Sequence, residues 1–493
     1  INFYNEGMFP MVVVGIVSPF DEKTKQSRNT DLLPKPENDK TTKNYDGYLG
    51  NADNFFRFLT DEVSPFLEKN YRTTSSRIAV GHSNGGTFIS YSFLEKPDFF
   101  NAYILVSPNY KYDDFGRLTQ LISPDSGNHT FNYDIQNRVV THNDARGTSH
   151  TSVKDLNGNV TSVSHVNGGN SQTENYSYDN QGHLSQISDG SGTTTYSRNI
   201  LGQVTSKTQN IGSKSFTVQY GYNAIGQKVS ETYPSGMVVT YGYTNGFLTS
   251  ISSGGTNIIS NVAYNSMLKE AISWNLGGNS VSVNKDADGL LTGFVESGVF
   301  NQTITTDNEG HVLSVADNVS NNNFNIQLTP DYKIQSGTMN GNNLRYNYAY
   351  NHNLYVQNDG IANYNFNPSY SNNKVTNMTD QNWNYFYYQY DEVGNTTVDN
   401  KGTYAYDLNN NMISSSRTYT VNGSQITSTG NYVFNGLGHR VKKSVSGQNR
   451  YFVYNENNQL IGEYDSNGNV IAEYVYFGLR PVAVKNGSNI NIV

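Results

Sequence analysis

One short segment of this sequence combines a candidate nucleophile with residues small enough for a sharp turn. The segment Gly81-His82-Ser83-Asn84-Gly85 has a glycine two positions before and two positions after a serine, and Gly86 follows. This spacing is typical of a strained turn between a strand and a helix, which exposes a serine hydroxyl for attack on a carbonyl carbon. The chemistry it predicts is acyl transfer through a covalent serine intermediate.

The residues on either side predict the elements that such a turn needs. Residues 77–80, of which 78–80 are apolar, predict a buried strand immediately before the motif. A helix is expected over residues 87–94, and residues 102–106 predict a further strand. Residues 11–17 form a continuous apolar run, as in a strand buried on both faces of a parallel sheet. Strands alternating with helices predict an α/β arrangement for residues 1–109.

A helix is also predicted over residues 53–70. Its apolar side chains recur at helical spacing, and Asp53 is a plausible N-cap. Pro65 lacks a backbone N–H, so it should kink this helix or begin a second helical segment.

Residues 1–109 resemble part of the putative esterase family of α/β-hydrolases. The resemblance rests on residues 11–16, 28–34, 66–72 and 81–108. It implies that Ser83 is the nucleophile, that the backbone N–H of Asn84 is half of the oxyanion hole, and that His82 is an elbow residue and not the base. Gly81, Gly85 and Gly86 would allow the turn.

The family also has an acid and a histidine after the strand corresponding to residues 102–106. This sequence has no histidine between Ser83 and Asn109. One interpretation is an inactive fragment, because losing the base of such a triad costs about 10⁶ in turnover. The alternative is that the remainder of the chain returns a histidine to Ser83, with His129, His142 and His150 as candidates. We interpret these three histidines instead as solvent-exposed loop residues.

A different pattern begins after Pro108. One unit recurs: Tyr-Asp, two or three residues, Gly or Asn, a polar residue and an apolar residue. Copies begin at Tyr112, Tyr133, Tyr178, Tyr222, Tyr390, Tyr406 and Tyr464, and early copies are spaced by about 21 residues or roughly twice that. Each copy predicts a strand ending at Tyr-Asp, a tight turn with Gly or Asn at positive φ, and a new strand beginning with Leu or Val.

These units resemble the YD or RHS repeats of bacterial toxins, wall-associated proteins and teneurins, over roughly residues 110–485. Residues 450–454, 461–465 and 473–483 resemble the approach to the end of the family's repeat core. The resemblance implies an antiparallel β-ribbon that spirals into a hollow shell. In this chain the ribbon either closes or remains an open curve.

The resemblance implies an extracellular or cell-surface location in a bacterium. It also implies a role as a scaffold whose partner is an enclosed C-terminal toxin or a cell-surface glycan or protein. An adhesin that binds carbohydrate is a further possibility.

Composition limits the remaining classes of fold, partner and chemistry. The 38 Tyr and 45 Gly favour strands joined by tight turns, so the fold class is mainly β. A net charge of −8 without a basic run argues against nucleic acid as a partner. The chain has no apolar run of membrane-spanning length. It also lacks cysteine, which excludes disulfides and thiol chemistry. We expect no cofactor.

Two weaker signals have plain structural explanations. Residues 284–289 copy the first half of a calcium loop, but position twelve is Val295 and not Glu. We therefore expect no metal, and interpret the segment as a repeat turn. Exposed tyrosines could stack on sugars, but cross-strand pairing within the wall is the simpler interpretation of their abundance.

The predicted organisation is therefore a partial three-layer α/β-hydrolase-like segment at residues 1–109 and a YD-repeat array at residues 110–493. A half-domain cannot bury its own sheet. Three explanations of the junction stay open: the missing half is on another chain, the segment packs on the array, or two unrelated genes are joined.

Overall fold

The computed structural model of the chain consists mainly of antiparallel strands. It describes residues 14–15, 32, 50–71, 73, 77–82, 84–106, 111–112, 117–123, 125–266, 269–348, 353–358, 363–364, 369–371, 373–379 and 383–493. The predicted mainly-β fold class is confirmed, because strands dominate these residues and almost all of them pair antiparallel.

Two large sheets follow each other along the chain. Strands β3 to β27 form the first sheet, and its strand order is closed, with β27 next to β3. The bounds in the first sheet are Lys111–Tyr112, Leu118–Ser123, Gly127–Asp134, Val139–Asn143, Ser149–Lys154, Val160–Asn167, Asn170–Tyr178, Leu184–Asp189, Gly192–Arg198, Val204–Ile211, Lys214–Tyr222, Lys228–Thr232, Val238–Thr244, Phe247–Ser253, Thr256–Tyr264, Ala271–Leu276, Asn279–Lys285, Leu291–Glu296, Phe300–Thr306, Val312–Asp317, Phe324–Leu328, Ile334–Met339, Asn342–Tyr348, Leu354–Asn358 and Asn363–Tyr364 (β3 to β27).

Strands β28 to β40 form the second sheet, which has 13 strands in sequence order. Its bounds are Ser369–Ser371, Lys374–Thr379, Tyr385–Tyr390, Thr396–Asp399, Gly402–Tyr406, Met412–Val421, Ser424–Phe434, Arg440–Val445, Gln448–Tyr454, Leu460–Tyr464, Val470–Phe477, Arg480–Asn486 and Asn489–Ile492 (β28 to β40).

The Asp of the repeat closes the turn between consecutive hairpins. Asp179 Oδ1 accepts the backbone N–H of Gln181 and of His183, at 2.9 and 2.8 Å, and Gly182 has φ 84°. We call this five-residue arrangement the Asx turn. The same oxygen accepts the same pair of N–H groups in the turns that begin at Asp155, Asn199, Asn223, Asp286, Asp307, Asp391, Asp407, Asn435, Asn455 and Asp465.

The predicted turn is thus confirmed, with one variation. In the copy that begins at Tyr133, the residue at positive φ is Arg138 and not Asn137, and the Asp134 carboxylate accepts the Asn137 N–H.

The Tyr of the repeat ties the open end of its own hairpin. Tyr178 ends β9, and its hydroxyl donates to the carbonyl of Val160, the first residue of β8, at 2.8 Å. The hydroxyls of Tyr222, Tyr243, Tyr264, Tyr348, Tyr390, Tyr406, Tyr454 and Tyr476 make the corresponding bond. The interpretation of these tyrosines as wall residues is therefore confirmed.

The second sheet is the next turn of the same ribbon. Hydrogen bonds between the two sheets join residues 228 to 262 positions apart. Loops and strands of the first sheet meet Asx turns of the second along this boundary, and also meet β38, β39 and the β28–β29 hairpin. We call this boundary the seam. An apolar core draws on both sheets, including Val218, Val239 and Ile259 of the first and Val453 and Ile461 of the second.

The N-terminal unit, residues 50–106, is small and has α/β character. It contains Ala52–Phe58 (α1), a π-helical turn at Leu59–Val63, Ser64–Asn70 (α2), Ile78–His82 (β1), Asn84–Glu95 (α3) and Ala102–Val106 (β2). Strands β1 and β2 pair in parallel. Pro65 lies in the first turn of α2, as predicted.

Two predictions about this unit are corrected. Asn51 and not Asp53 occupies the N-cap position of α1, and its side chain makes no capping bond. Of the apolar run 11–17, the structure describes Val14 and Gly15, which lie outside any strand, and Val14 is exposed. The remainder of that run lies outside the described residues.

A side-chain hydrogen bond connects the N-terminal unit to the repeat array. Asn101 Nδ2 donates to the hydroxyl of Tyr332, in the turn between β23 and β24, at 2.8 Å. Within the described part of the chain, no helix has both the length and the apolar character needed to cross a bilayer.

Replacing Tyr476 by Phe tests the hairpin tie. The Tyr476 hydroxyl donates to Leu460 O at 2.7 Å, so Tyr476→Phe should lower the free energy of unfolding by about 1 kcal/mol. Urea denaturation followed by circular dichroism measures the change. Tyr419→Phe is the control, because Tyr419 is exposed. Equal midpoints for the two variants would contradict the role given to the hydroxyl.

Candidate functional site

The strand and the helix that the serine motif requires are both present. Strand β1 ends at His82, and α3 begins at Asn84. Ser83 itself lies outside the described residues, and the side chains of His82 and Asn84 are not described. The N–H of Asn84 is the first of α3, and the first N–H groups of a helix have no partner within it. It is therefore suited to an oxyanion, which remains a prediction for this chain.

The two glycines of the motif allow β1 and α3 to approach closely. A Cβ built on Gly81 would lie 2.3 Å from the carbonyl oxygen of Gly85 and 2.6 Å from Ile89 Cδ1. No side chain fits at that distance, so the strand and the helix can meet here because position 81 is glycine. Gly86 lies in the same helical turn, and its carbonyl accepts the Ser90 hydroxyl.

One face of the β1–β2 sheet is packed and the other is open. Ala79 packs with Phe56, Phe88 and Ile89 on the helix side. On the opposite face Ile78, Val80 and Ile104 are about half exposed or more. The prediction that residues 77–80 form a buried strand is therefore wrong for this face, because two strands supply no third layer to cover it.

A cavity of about 450 Å³ lies beside β1, between α1–α2 and α3. Its wall combines polar atoms with apolar side chains that include Phe55, Leu67, Phe88 and Phe99, and Arg77 and Glu68 form an ion pair at its edge. Burial of an apolar acyl group is compatible with such a wall.

The three histidines considered as bases for Ser83 are not exposed loop residues. His129, His142 and His150 lie on β5, β6 and β7, and His129 is buried. His129 Nδ1 is 2.9 Å from His142 Nε2, and His150 Nδ1 is 2.6 Å from His165 Nδ1. The interpretation as loop residues is wrong because these side chains belong to successive strands of one sheet and contact one another.

Sequence reasoning missed this cluster because it considered each histidine alone. Register places Phe131 opposite His142, His142 opposite His150, and His150 opposite His165. Only the pairing of the strands shows that these histidines lie next to one another. Burial, together with charge repulsion from the neighbouring His150 and His129, lowers the pKa of His142 to about 4.

Sequence reasoning also missed the buried charges at the seam. Lys207 is almost fully buried and donates to the carbonyl of Asn455 at 2.9 Å, and burial lowers its pKa to about 8. Glu473 is fully buried and accepts the Ser235 N–H, the Ser235 hydroxyl and the Tyr464 hydroxyl. Partners that lie 238 or more residues apart leave no pattern in a local sequence window.

The segment compared with a calcium loop is an Asx turn. Asp286 Oδ1 accepts the backbone N–H groups of Asp288 and Leu290, so this oxygen already caps the turn. Among the described residues, the ligand-type side chains that converge are Asp307, Glu309 and His311, in another Asx turn. Asp307 caps that turn with one oxygen and contacts His311 Nδ1 with the other, at 2.9 Å.

Comparison with known proteins finds similarity to esterases in part of this chain. A family model described as Esterase: Putative esterase matches residues 5–200. Ferri-bacillibactin esterase BesA of Bacillus subtilis is 33% identical over 112 residues, which cover 22% of this chain and 39% of that enzyme. Siderophore enterobactin esterase of Emericella nidulans is 31% identical over 118 residues, again 39% of its length. The chain thus spans well under half of these relatives.

The repeat array is similar in fold to the solved structures of TcdB2-TccC3. TcdB2-TccC3 without its hypervariable C-terminal region superposes with a TM-score of 0.55 at 14% identity, covering 79% of this chain and 25% of that chain. TcdB2-TccC3 itself gives a TM-score of 0.52 at 13% identity and covers 26% of that chain. The esterase match extends to residue 200, but residues from 111 onward fold as the antiparallel first sheet.

The close approach of β1 and α3 can be tested at Gly81. Gly81→Ala places a methyl group against the Gly85 carbonyl and should destabilise the N-terminal unit by roughly 1–3 kcal/mol. Trypsin cleavage after Arg57 and Lys69 should accelerate accordingly. The control is Gly15→Ala, since a Cβ there has nothing within 4 Å. An unchanged cleavage rate in Gly81→Ala would mean that the two elements are not packed as described.

Proposed function

We propose that residues 111–493 form part of a YD-repeat shell that encloses or presents a polypeptide. The observation that carries the proposal is the stacking of the second turn of the ribbon on the first, through bonds between residues 228 to 262 positions apart. A ribbon that returns onto itself leaves a space inside its turns. The similarity in fold to TcdB2-TccC3 supports the same conclusion.

The chemistry of the seam favours a durable wall over a transient contact. Buried Lys207 and Glu473 bridge the two turns, and a buried charge is tolerated only where its partners are fixed. Cations of the first turn repeatedly bind backbone carbonyls of the second, as Lys214 does with Asn467. A wall of this kind can exclude proteases from whatever it surrounds.

The proposal includes a secreted or cell-surface location and a relation to polymorphic toxins. The partner would be a toxin segment that follows the array, or a glycan or protein at a cell surface. The similarity in fold to TcdB2-TccC3 without its hypervariable C-terminal region motivates the choice of a C-terminal segment as the partner.

A protease-protection experiment tests enclosure. A trypsin-sensitive, unfolded reporter peptide is fused after Val493 and its half-life in trypsin is compared with that of the same peptide on a compact β-protein. We expect at least a tenfold longer half-life in the fusion, because the wall shields the peptide. Glu473→Ala combined with Ser235→Ala should reduce the protection, since these residues bind across the seam.

Glu62→Ala is the matched control, as Glu62 is exposed and lies outside both sheets. Circular dichroism verifies that each variant is folded. If the double variant does not fold, Glu473→Gln provides a milder change at the same position. Equal half-lives in the fusion and on the compact protein would reject enclosure.

A second candidate function is ester hydrolysis by the N-terminal unit. It is supported by the esterase family match, by the 33% identity to BesA over 112 residues, and by the contact of Gly81 with Gly85. Ser83 would be the nucleophile and the Asn84 N–H an oxyanion donor. Its substrate class would be esters, with the cavity beside β1 as the acyl-binding region.

Labelling with a fluorophosphonate probe tests this candidate. If the chain completes an active site, the purified protein should be labelled, and Ser83→Ala should abolish the signal because the phosphonate attaches to the serine hydroxyl. His129→Gln serves as a control that should retain labelling, as His129 bonds to Ser126 and His142 within the array. A folded wild-type sample that is not labelled would reject hydrolysis.

A further inference from the structure

Four histidines on neighbouring strands form one continuous series of contacts. We call His129, His142, His150 and His165 the histidine ladder. The rings of His129, His142 and His150 stack with centroids 5.1 to 5.2 Å apart, and His165 meets His150 edge to face at 4.9 Å. Phe131 covers the His142 ring at 4.5 Å. Neither of the functions proposed above involves the histidine ladder.

The ladder ends in carboxylates on one side. His150 Nε2 is 3.4 Å from Asp144 Oδ2, and His165 Nε2 is 3.0 Å from Glu174 Oε2. Asp144, His165 and Glu174 are each less than one tenth exposed. Asp144, His150, His165 and Glu174 therefore form a single chain of groups that are largely removed from water.

Counting the protons along this row of four side chains shows that one of the contacts between them has no proton. Three contacts separate the four groups, and each needs one proton to be a hydrogen bond. Two neutral imidazoles between ionised carboxylates supply two protons. The shortest contacts, His150–His165 at 2.6 Å and His165–Glu174 at 3.0 Å, take these protons. The contact of His150 Nε2 with Asp144 Oδ2, at 3.4 Å, is left between two acceptors.

The same Asp144 oxygen holds the arginine that fastens the seam. Asp144 Oδ2 accepts Arg146 Nε at 3.0 Å and Arg146 Nη2 at 2.8 Å. Arg146 then donates across the seam to the carbonyls of Asp407 and Leu408, at 3.2 and 3.0 Å, and lies 4.0 Å from Asp391. The position of the Arg146 guanidinium thus depends on Asp144 Oδ2, the oxygen that also faces His150.

We propose that Asp144, Arg146 and the histidine ladder form an acid-released latch between the two turns of the ribbon. A proton on His150 Nε2 creates a new donor to Asp144 Oδ2, which competes with Arg146 for that oxygen. The imidazolium also repels the guanidinium. Arg146 then leaves the Asp407 and Leu408 carbonyls, and this part of the seam opens while the strands remain paired.

The direction of the pH dependence follows from the buried state of the ladder. Burial lowers the pKa of His150 below 6.5, against the opposing effect of Asp144, and the positive charge of Arg146 lowers it further. The folded seam therefore binds fewer protons than the open one. Its stability is constant above about pH 6.5, the pKa of an unperturbed histidine, and decreases as the pH falls below that value.

Hydrogen exchange measured by mass spectrometry on the full chain tests the latch. Peptides from residues 125–150 and 391–411 report the Arg146 contacts, and peptides from 230–240 and 455–475 report the seam around Glu473. After correction for the chemical exchange rate, protection of the first pair should fall about tenfold from pH 7 to pH 5. Protection of the second pair should change less than twofold.

Three variants separate the latch from general acid sensitivity. His150→Phe keeps an aromatic ring beside His142 and removes the proton site, so protection should no longer depend on pH. Arg146→Gln removes the fastening group and should give low protection at both pH values. His183→Gln alters an exposed histidine outside the ladder and should behave like the wild type.

Several results would overturn the proposal. These are equal wild-type protection at both pH values, an equal loss of protection along the whole seam, and an undiminished pH dependence in His150→Phe. Stoichiometric binding of Zn²⁺ that raises protection and disappears in His150→Phe would also overturn it, because a metal ion and not a proton would then join the facing nitrogens. If His150→Phe does not fold, the pH-independent low protection expected of Arg146→Gln still decides the question.

Discussion

The structure of the array depends on how each Asx turn distributes its hydrogen bonds. One side-chain oxygen accepts two backbone N–H groups, as Asp465 does with those of Asn467 and Asn469. The donors of the turn are thereby satisfied internally, and carbonyl oxygens are left to face outward. An isolated hairpin is marginally stable in water. The turn, together with the tyrosine hydroxyl that ties each hairpin, fixes the geometry with which one hairpin follows the next.

This distribution of hydrogen bonds in the Asx turns explains why cations bind backbone carbonyls at the seam. The outward carbonyls of the second turn attract cations of the first, as Arg146 donates to Leu408 O and Lys214 to Asn467 O. Lys207 donates to Asn455 O, which also accepts the N–H of Asn458 within its turn. A cation bound to carbonyls stays fixed without an anion beside it, so Lys207 can be buried at the cost of a lower pKa. Where a carboxylate such as Asp144 also holds the cation, the seam gains a group that a proton on a neighbouring histidine can displace.

The N-terminal unit obeys a different constraint, since two parallel strands cannot bury both faces of a sheet. Helices cover one face through Phe56 and Phe88, and Ile78 and Val80 remain exposed on the other. The matched esterase relatives are covered over 39% of their length. A hydrogen bond from Asn101 to Tyr332 connects the unit to the array.

The sequence by itself determined what depends on neighbours in the chain. The Tyr-Asp-Gly spacing predicted the Asx turns, and residues 102–106 and Pro65 predicted β2 and the start of α2, because turn conformation and helix initiation are local. Which distant residues meet was decided only by the tertiary structure. Strand register made four separate histidines one ladder, and the return of the ribbon brought Lys207 to Asn455 and Ser235 to Glu473. Such pairings arise from chain closure over hundreds of residues, and local propensity carries no information about them.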